Sequence, residues 1–171
     1  MRTLILGGAR SGKSRLAEHM AQESQLAVTY IATAQAQDME MAQRIAAHRT
    51  RRQAHWTSVE EPFALAAALL AYAAPERCLL VDCLTLWLTN LLLHPDVAMF
   101  DRERAALLAT LPGLPGQIIL VSNETGMGIV PLGELTRRYC DEAGWLHQEL
   151  ATRCERVLLT VAGIPLTLKG T

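Results

Sequence analysis

Gly7-Gly8-Ala9-Arg10-Ser11-Gly12-Lys13-Ser14 is the stretch that decides the fold of this chain. It fits the pattern G-x-x-x-x-G-K-[ST], in which glycines let the backbone turn tightly so that its N–H groups point at phosphate oxygens. The apolar run Leu4-Ile5-Leu6 precedes the motif, and a helix-forming run at 14–21 follows it. A strand, a loop and a helix in this order are the context that a phosphate-binding P-loop requires, and we therefore predict one here.

The motif assigns roles to individual side chains. Lys13 is expected to reach the β- and γ-phosphates, and Ser14 is expected to ligate Mg²⁺. Asp82 ends the apolar run Leu79-Leu80-Val81 and has the form of the second acid of P-loop enzymes, which holds Mg²⁺ directly or through water. The alternative for Asp82 is an ordinary strand-terminal residue that caps a turn.

Apolar runs and helix-forming stretches alternate along the rest of the chain, which indicates an α/β protein with a mainly parallel sheet. The predicted strands are 4–6, 27–32, 56–59, 78–82, 117–121, 157–161 and 166–168, the last set apart by Gly163-Ile164-Pro165. The predicted helices are 14–21, 38–52, 60–74, 101–111 and 132–153, while 84–93 is either a buried helix or an oligomer contact. We expect a three-layer P-loop NTPase fold of the RecA-like kind, closed by an antiparallel C-terminal edge strand and forming a single domain over residues 1–171.

Composition narrows the class of ligand. The formal net charge of −1 gives no electrostatic footprint for nucleic acid or for a membrane surface, so a small-molecule substrate is expected. No apolar run approaches the ~18 residues of a membrane span. The four cysteines contain no C-x-x-C pair and lie in or beside apolar runs, which predicts reduced thiols and a cytoplasmic protein.

A histidine between arginines stands out in the predicted helix 38–52. Arg44, His48 and Arg52 are spaced i, i+4, i+8 and line one stripe of that helix, which is an anion-facing arrangement. The alternative from spacing alone is a solvated basic face with an incidental histidine.

Taken together, these motifs resemble one family over essentially the whole chain, that of bifunctional adenosylcobinamide kinase / adenosylcobinamide-phosphate guanylyltransferase. The residues that carry the resemblance are the P-loop, Tyr30-Ile31-Ala32-Thr33, Arg44-Ile45 with His48, Ala54-His55-Trp56, Asp82, Thr89-Asn90-Leu91-Leu92 and Asn123-Glu124-Thr125-Gly126-Met127-Gly128-Ile129-Val130-Pro131. Some members have a second histidine before the nucleophile, and Ala47 stands in that place here.

The resemblance implies two reactions: phosphorylation of adenosylcobinamide, and transfer of GMP from GTP to the product phosphate through a covalent GMP–histidine. It places the nucleophile at His48 and makes ATP and GTP substrates, with Mg²⁺ as cofactor and a homotrimer as the assembly. It also implies that guanine-nucleotide contacts come from Ala32, Thr33, Ala34, Arg49, Thr50, Arg51, Arg52, Glu60 and Asp82. A carboxylate such as Glu60 accepts hydrogen bonds from N1–H and the exocyclic amine of guanine, which would favour G over A.

The glycine-bearing loop 123–128 follows a strand and is a candidate for orienting Mg²⁺, phosphate or the corrinoid. Its candidate residues are Asn123, Glu124, Gly126 and Gly128, and the alternative is a turn stabilised by Asn and Gly. Two other functions fit a P-loop: a simple small-molecule kinase, and a RecA-like nucleotide-dependent oligomeric switch. Covalent GMP with pyrophosphate release would exclude the simple kinase, whereas the switch predicts nucleotide turnover modulated by a macromolecular partner and no product made from cobinamide.

Overall fold

The computed structural model describes residues 1–35, 53 and 55–170. The described strands are β1 (Arg2–Gly7), β2 (Ala27–Ala32), β3 (Thr57–Glu60), β4 (Arg77–Asp82), β5 (Gln117–Asn123), β6 (Arg156–Val161) and β7 (Ile164–Lys169). The described helices are α1 (Lys13–Glu23), α2 (Leu65–Tyr72), α3 (Leu84–Leu92), α4 (Ala98–Thr110) and α5 (Glu134–Arg153). The predicted helix over 38–52, with His48, lies outside the described residues.

The seven strands form one sheet in the order β3-β2-β4-β5-β1-β6-β7. The pairings from β3 across to β6 are all parallel, and β7 runs antiparallel to β6. The predicted mainly parallel α/β sheet with an antiparallel C-terminal edge strand is therefore confirmed. Because six strands run in one direction, their carboxyl ends meet at one side of the sheet, which we call the carboxyl edge.

Helices cover both faces of the sheet and give it three layers. Ala17 and Ala21 of α1 pack against alternate residues of the central strands, such as Ile5 and Leu80. The other helices cover the opposite face, where Leu69, Trp87, Leu107 and Leu146 meet Leu4, Leu79 and Leu120. Strands that are buried on both faces explain why β1, β4 and β5 are continuous apolar runs rather than alternating ones.

Most of the segment 84–93 forms a helix with a buried face, Leu84–Leu92, which favours the first of the two interpretations of that segment. Leu84, Trp87, Leu88 and Leu91 of α3 are all buried within this one chain. The four cysteines carry no disulfide, as predicted. Among the helices of the described residues, none combines the length and hydropathy that crossing a bilayer would require.

Strand β5 runs on to Asn123, so Asn123 belongs to the strand and not to the predicted loop 123–128. Two other predicted boundaries were also wrong. The segment Glu60-Glu61-Pro62 does not begin a helix: Glu60 ends β3, and α2 begins only at Leu65. The carboxylate of Glu61 accepts hydrogen bonds from the N–H groups of Phe63 (2.9 Å) and Ala64 (2.8 Å), so it acts as a cap ahead of the helix rather than as part of it.

The second wrong boundary is the turn before the last strand. Ile164 and Pro165 belong to β7, and the turn consists of Ala162 and Gly163, with φ values of 53° and 82°. Two successive residues with positive φ make the tight hairpin turn whose twist matches that of the flanking strands. Pro165 is tolerated because β7 is an edge strand.

Candidate active site

The sheet register brings the predicted site residues to the carboxyl edge, with Asp82 level with Val121 and Gly7 two residues further along, level with Asn123. Ala32 pairs with Glu60 on one side and with Asp82 on the other. On the far side of β5, Gly7 pairs with both Asn123 and Thr160. Segments that are far apart in sequence therefore end side by side, where ligand-binding loops of open α/β sheets lie.

The P-loop folds as its glycines predict. Gly12 has φ 96°, a left-handed conformation that side chains rarely adopt, and α1 begins at the next residue. A Cβ on Gly7 would lie 2.5 Å from Ser11 Oγ and 2.6 Å from the carbonyl oxygen of Thr160, so no larger residue fits there. Ser11 Oγ is buried and has no hydrogen-bond partner among the described residues, which leaves a donor available inside the loop.

The residues at the mouth of the loop are accessible. Gly8, Ala9 and Arg10 are exposed, and Ser14 is half-buried in the first turn of α1. Their backbone N–H groups precede or begin a helix, where the dipole favours an anion.

Lys13 and Asp82 lie close enough to interact electrostatically. Burial lowers the pKa of Lys13, while the charges of Cys83 and Asp82 act in the opposite direction. The Nζ of Lys13 donates to the carbonyl of Gly8 at 3.0 Å, within the loop itself. The Oδ2 of Asp82 accepts from the hydroxyl of Tyr30 at 2.8 Å. The basic and acidic candidates for phosphate and metal binding are thus held side by side.

A hydrogen-bonded network holds the turn after β2. The hydroxyl of Thr33 donates to the carbonyl of Cys83 (2.6 Å) and accepts from its N–H (3.0 Å). The buried side chain of Asn90 donates from Nδ2 to the carbonyls of Thr33 (2.8 Å) and Pro62 (3.1 Å). Asn90 thereby ties the segments after β2 and β3 to α3. Sequence reasoning did not assign it this role, although a polar residue inside an otherwise apolar helix is a visible signal.

The loop after β5 is joined to the P-loop. The N–H of Glu124 donates to the carbonyl of Gly7 at 3.0 Å, and the N–H of Asn123 donates to Thr85 Oγ1 at 2.8 Å. The carboxylate of Glu124 accepts from the N–H of Gly126 at 2.6 Å. Gly128 lies further along the loop and is exposed.

His147 of α5 lies beneath this loop. It is 7% exposed, with Nε2 at 2.8 Å from Ser122 Oγ and Nδ1 at 3.7 Å from Glu124 Oε2. Burial lowers the pKa of His147, and Glu124 opposes that shift. Sequence reasoning did not single this histidine out, although its place among Ala143, Leu146 and Leu150 on the buried face of α5 is a signal that could have found it.

The β6–β7 turn contacts the P-loop from outside. The N–H of Gly163 donates to the carbonyl of Ser11 at 2.8 Å. A Cβ added to Gly12 would lie 3.1 Å from the Cα of Gly163, so the two backbones are in close contact. No sequence pattern had linked these positions.

Part of the predicted site falls outside the described residues. His48 and the basic stretch Arg49, Thr50, Arg51 and Arg52 are in this group. Their roles therefore stay predictions.

Comparison with solved structures agrees with the fold. The flagellar accessory protein FlaH from Methanocaldococcus jannaschii superposes with a TM-score of 0.52 at 14% identity, over 99% of this chain and 78% of that one. The RadB recombinase superposes with a TM-score of 0.51 at 17% identity, over 92% of this chain and 73% of that one. At these identities the likeness concerns the fold, which is the predicted RecA-like P-loop architecture.

Comparison with known sequences gives information beyond the fold. The chain is 71% identical over 170 residues to the bifunctional adenosylcobalamin biosynthesis protein CobP of Pseudomonas aeruginosa, covering 99% of this chain and 98% of that protein. It is 40% identical over 182 residues to CobU of Salmonella typhimurium, covering 99% and 100%. A family model described as cobinamide kinase / cobinamide phosphate guanyltransferase matches residues 3–168. The chain therefore belongs to the cobinamide kinase / cobinamide phosphate guanyltransferase family, as its motifs predicted.

Proposed function

We propose that this chain phosphorylates the hydroxyl of adenosylcobinamide and then transfers GMP from GTP to the resulting phosphate at the carboxyl edge of its sheet. Family membership supports both activities, and the relatives named above are described as bifunctional. The observation that carries the placement is the P-loop, with Lys13 and Asp82 in electrostatic contact beside it.

The P-loop would bind the triphosphate of either nucleotide. Its exposed backbone amides and the unpartnered hydroxyl of Ser11 offer donors, while the amino group of Lys13 offers a charge. Lys13 would exchange its bond to the carbonyl of Gly8 for phosphate oxygens. Such a shift is favourable because a doubly charged phosphate is a stronger acceptor than a carbonyl.

The donors near the P-loop fit Mg²⁺. Ser14 contributes a hydroxyl and Asp82 a carboxylate, which are the hard oxygen ligands that this ion takes when phosphates and waters complete its shell. These two residues are the protein ligands we propose. Among the described residues no group of three histidine, cysteine or acidic side chains is arranged to hold a metal. A bound Mg²⁺ would neutralise charge on the phosphates.

The guanine base would lie beside the ends of β2 and β3. Glu60 stands next to Ala32 in the sheet register, and Thr33 is fixed at the start of the following turn. A carboxylate at Glu60 suits the two donors on the edge of guanine and would be unpaired against adenine. The family resemblance implies that Ala34 and residues 49–52 also contact the guanine nucleotide.

For the transfer step we propose His48 as the nucleophile. A neutral imidazole nitrogen attacks the α-phosphorus of GTP, the N–P bond forms, and the bond to the β-phosphate oxygen breaks to release pyrophosphate. An oxygen of adenosylcobinamide phosphate then attacks the same phosphorus and breaks the N–P bond. The attacking nitrogen uses its lone pair, so the proton on the other ring nitrogen stays in place, and breaking the N–P bond restores the neutral imidazole.

Labelling with α-labelled GTP tests this mechanism. We expect stable label on the denatured wild-type protein and none on His48→Ala, while His19→Ala on the exposed side of α1 serves as the matched control and keeps the label. Label retained in His48→Ala would remove His48 as nucleophile. Transfer of GMP with no protein-bound label in the wild type would remove the covalent intermediate altogether.

We further propose a homotrimer in the cytoplasm. Large apolar side chains are exposed on the segment between β5 and α5, where Ile129 and Leu132 are each 98% exposed. Exposed apolar clusters of this kind favour burial against another subunit. Sedimentation equilibrium at several concentrations would give the mass of the assembly, and a monomer at all of them would contradict the proposal.

A further inference from the structure

The cluster of Ser122, Glu124 and His147 is not used by the mechanism above. Serine, histidine and an acid in hydrogen-bonding order have the composition of a hydrolytic triad. Ser122 is, however, 0% exposed and lies inside β5, so its hydroxyl is shielded from any substrate. The exposed member of the cluster is Glu124, whose side chain is 21% exposed. Of the three side chains, the carboxylate of Glu124 is therefore the one that a substrate can reach.

We propose that Glu124 accepts the proton of the substrate hydroxyl in the kinase step and that His147, held by Ser122, positions its carboxylate. The proposal rests on the kinase half of the proposed function and names a group for which that mechanism has no other residue.

Glu124 stands where the transferred phosphoryl group must pass. Strand β5 lies between β1, which leads into the P-loop, and β4, which ends at Asp82. Glu124 is the first residue after β5, and its N–H is bonded to the carbonyl of Gly7 at the start of the P-loop. A substrate that approaches the γ-phosphate at this edge meets the residues that follow β5. Asp82 is less suited to the task because it lies near the amino group of Lys13, whose charge favours the unprotonated carboxylate.

The side chain of Glu124 is restrained on both oxygens. Oε1 accepts from the N–H of Gly126 at 2.6 Å, and Oε2 lies 3.7 Å from Nδ1 of His147. Because a carboxylate only accepts, the tautomer with its proton on Nδ1 is the one that suits Glu124, and Ser122 Oγ then donates to Nε2 at 2.8 Å. A carboxylate held in this way loses little freedom when substrate binds, which is the condition for efficient proton transfer.

The neighbours of this carboxylate are neutral near pH 7. Burial lowers the pKa of His147, so the imidazole is uncharged. Desolvation raises the pKa of Tyr139 on α5 to about 12, so its phenol is protonated. Among the described groups of this cluster, none forms a fixed cation that would neutralise Glu124. Its lone pairs thus stay available to an incoming hydroxyl.

The step balances as follows. The substrate oxygen forms a bond to the γ-phosphorus while the bond from that phosphorus to the β–γ bridging oxygen breaks, and the nucleoside diphosphate leaves. The hydroxyl proton passes to Glu124 and returns to solvent after the product dissociates.

The test is Glu124→Gln, which keeps the acceptor for Gly126 but removes the base. With adenosylcobinamide and γ-labelled ATP, we expect the kcat of phosphorylation to fall by about 100-fold or more, in the range found for loss of a general base. Nucleotide Kd and the rate of GMP transfer to supplied adenosylcobinamide phosphate should each stay within about threefold of wild type. Glu76→Gln, at the opposite edge of the sheet, is the matched control and should keep both activities.

Two outcomes would overturn the proposal: a phosphorylation kcat within about threefold of wild type, or a nucleotide Kd that weakens in proportion to kcat. GMP transfer is assayed separately from phosphorylation. If the wild type did not use His48 for GMP transfer, the effect of Glu124→Gln on phosphorylation could still be measured. Thermal melting shows whether Glu124→Gln is misfolded, and if it is, Glu124→Asp and Glu124→Ala are compared instead. The shorter carboxylate of Glu124→Asp should keep more phosphorylation than Glu124→Ala. Equal loss in the two would also overturn the proposal.

The positioning role of His147 has its own readout. His147→Ala should lower the kcat of phosphorylation by about tenfold with the KM for ATP unchanged, and His147→Asn, which restores a donor near the position of Nδ1, should recover part of that loss. A change in KM alone, or equal kcat in the two variants, would contradict the role.

Discussion

Asn90 offers the sharpest test of how the nucleotide site is held together. Its buried amide donates to the carbonyls of Thr33 (2.8 Å) and Pro62 (3.1 Å), and it is the bridge from α3 to the segments after β2 and β3. Asn90→Ala removes both hydrogen bonds and leaves two carbonyls without this donor. Each such loss costs about 1–2 kcal/mol when the abandoned group stays buried, so the free energy of unfolding should fall by about 2–4 kcal/mol.

The expected thermal shift follows from chain size. In domains of 150–250 residues, 1 kcal/mol corresponds to about 2–4 °C in Tm, which gives a decrease of about 5–15 °C for Asn90→Ala. The turn at Thr33 and the neighbouring Glu60 are proposed guanine contacts, so GTP should also bind less tightly. A loss of about 1 kcal/mol in binding would appear as a roughly fivefold higher Kd.

Thr89→Ala is the matched control on the same helix. The hydroxyl of Thr89 donates to the carbonyl of Thr85 one turn earlier at 3.0 Å, so its loss stays within α3. Circular dichroism melts and calorimetric titration with GTP would measure both effects. If the Tm of Asn90→Ala fell no further than that of Thr89→Ala, the two hydrogen bonds of Asn90 would not stabilise the fold and the reasoning would be refuted.

Three further outcomes follow from the same site. Lys13→Ala should weaken nucleotide binding by at least tenfold in calorimetric titration, yet leave the Tm unchanged or raised, because burial already lowers the pKa of that amine and disfavours its charge. Gly7→Ala should abolish nucleotide binding and lower stability by about 1–3 kcal/mol, because its Cβ would meet Ser11 and Thr160 below 3 Å. The lowered pKa of His147 means that the unfolded chain binds a proton that the folded chain does not, so acidification below about pH 6.5 should reduce stability by up to about 1.4 kcal/mol per pH unit. Denaturant titrations at pH 5.5 and 7.5 should show this slope in wild type and a smaller one in His147→Gln.

The fold was predictable because its signals are local. Continuous apolar runs such as 79–81 and 118–121 indicate strands buried on both faces, and the P-loop fixes the edge at which ligands bind. The strand order was not predictable in the same way, since pairing β5 between β4 and β1 depends on packing between distant segments. Element ends were also missed where side chains compete with the backbone, as Glu61 does ahead of α2.

The same distinction between local signals and contacts with distant segments applies to the residues of the candidate site. Lys13, Ser14 and Asp82 belong to motifs whose spacing is typical of contact with a ligand, so a single sequence is enough to predict their roles. Asn90 and His147 act on backbone and side chains supplied by other elements, and their spacing along α3 and α5 is that of ordinary core residues. A buried polar residue must find partners, but only the structure shows which ones.

The contact between Gly163 and the P-loop bears on how this sequence can vary. Gly163 is exposed and lies in a hairpin turn, where substitution is usually tolerated and asparagine often replaces glycine. Its N–H is nevertheless bound to Ser11, and its Cα stands against Gly12. In a comprehensive substitution scan scored by enzyme activity, this position should therefore behave like a member of the glycine-rich loop some 150 residues earlier in the chain. Natural variation at Gly12 and Gly163 should be restricted jointly, with phosphate binding rather than hairpin formation as the selecting property.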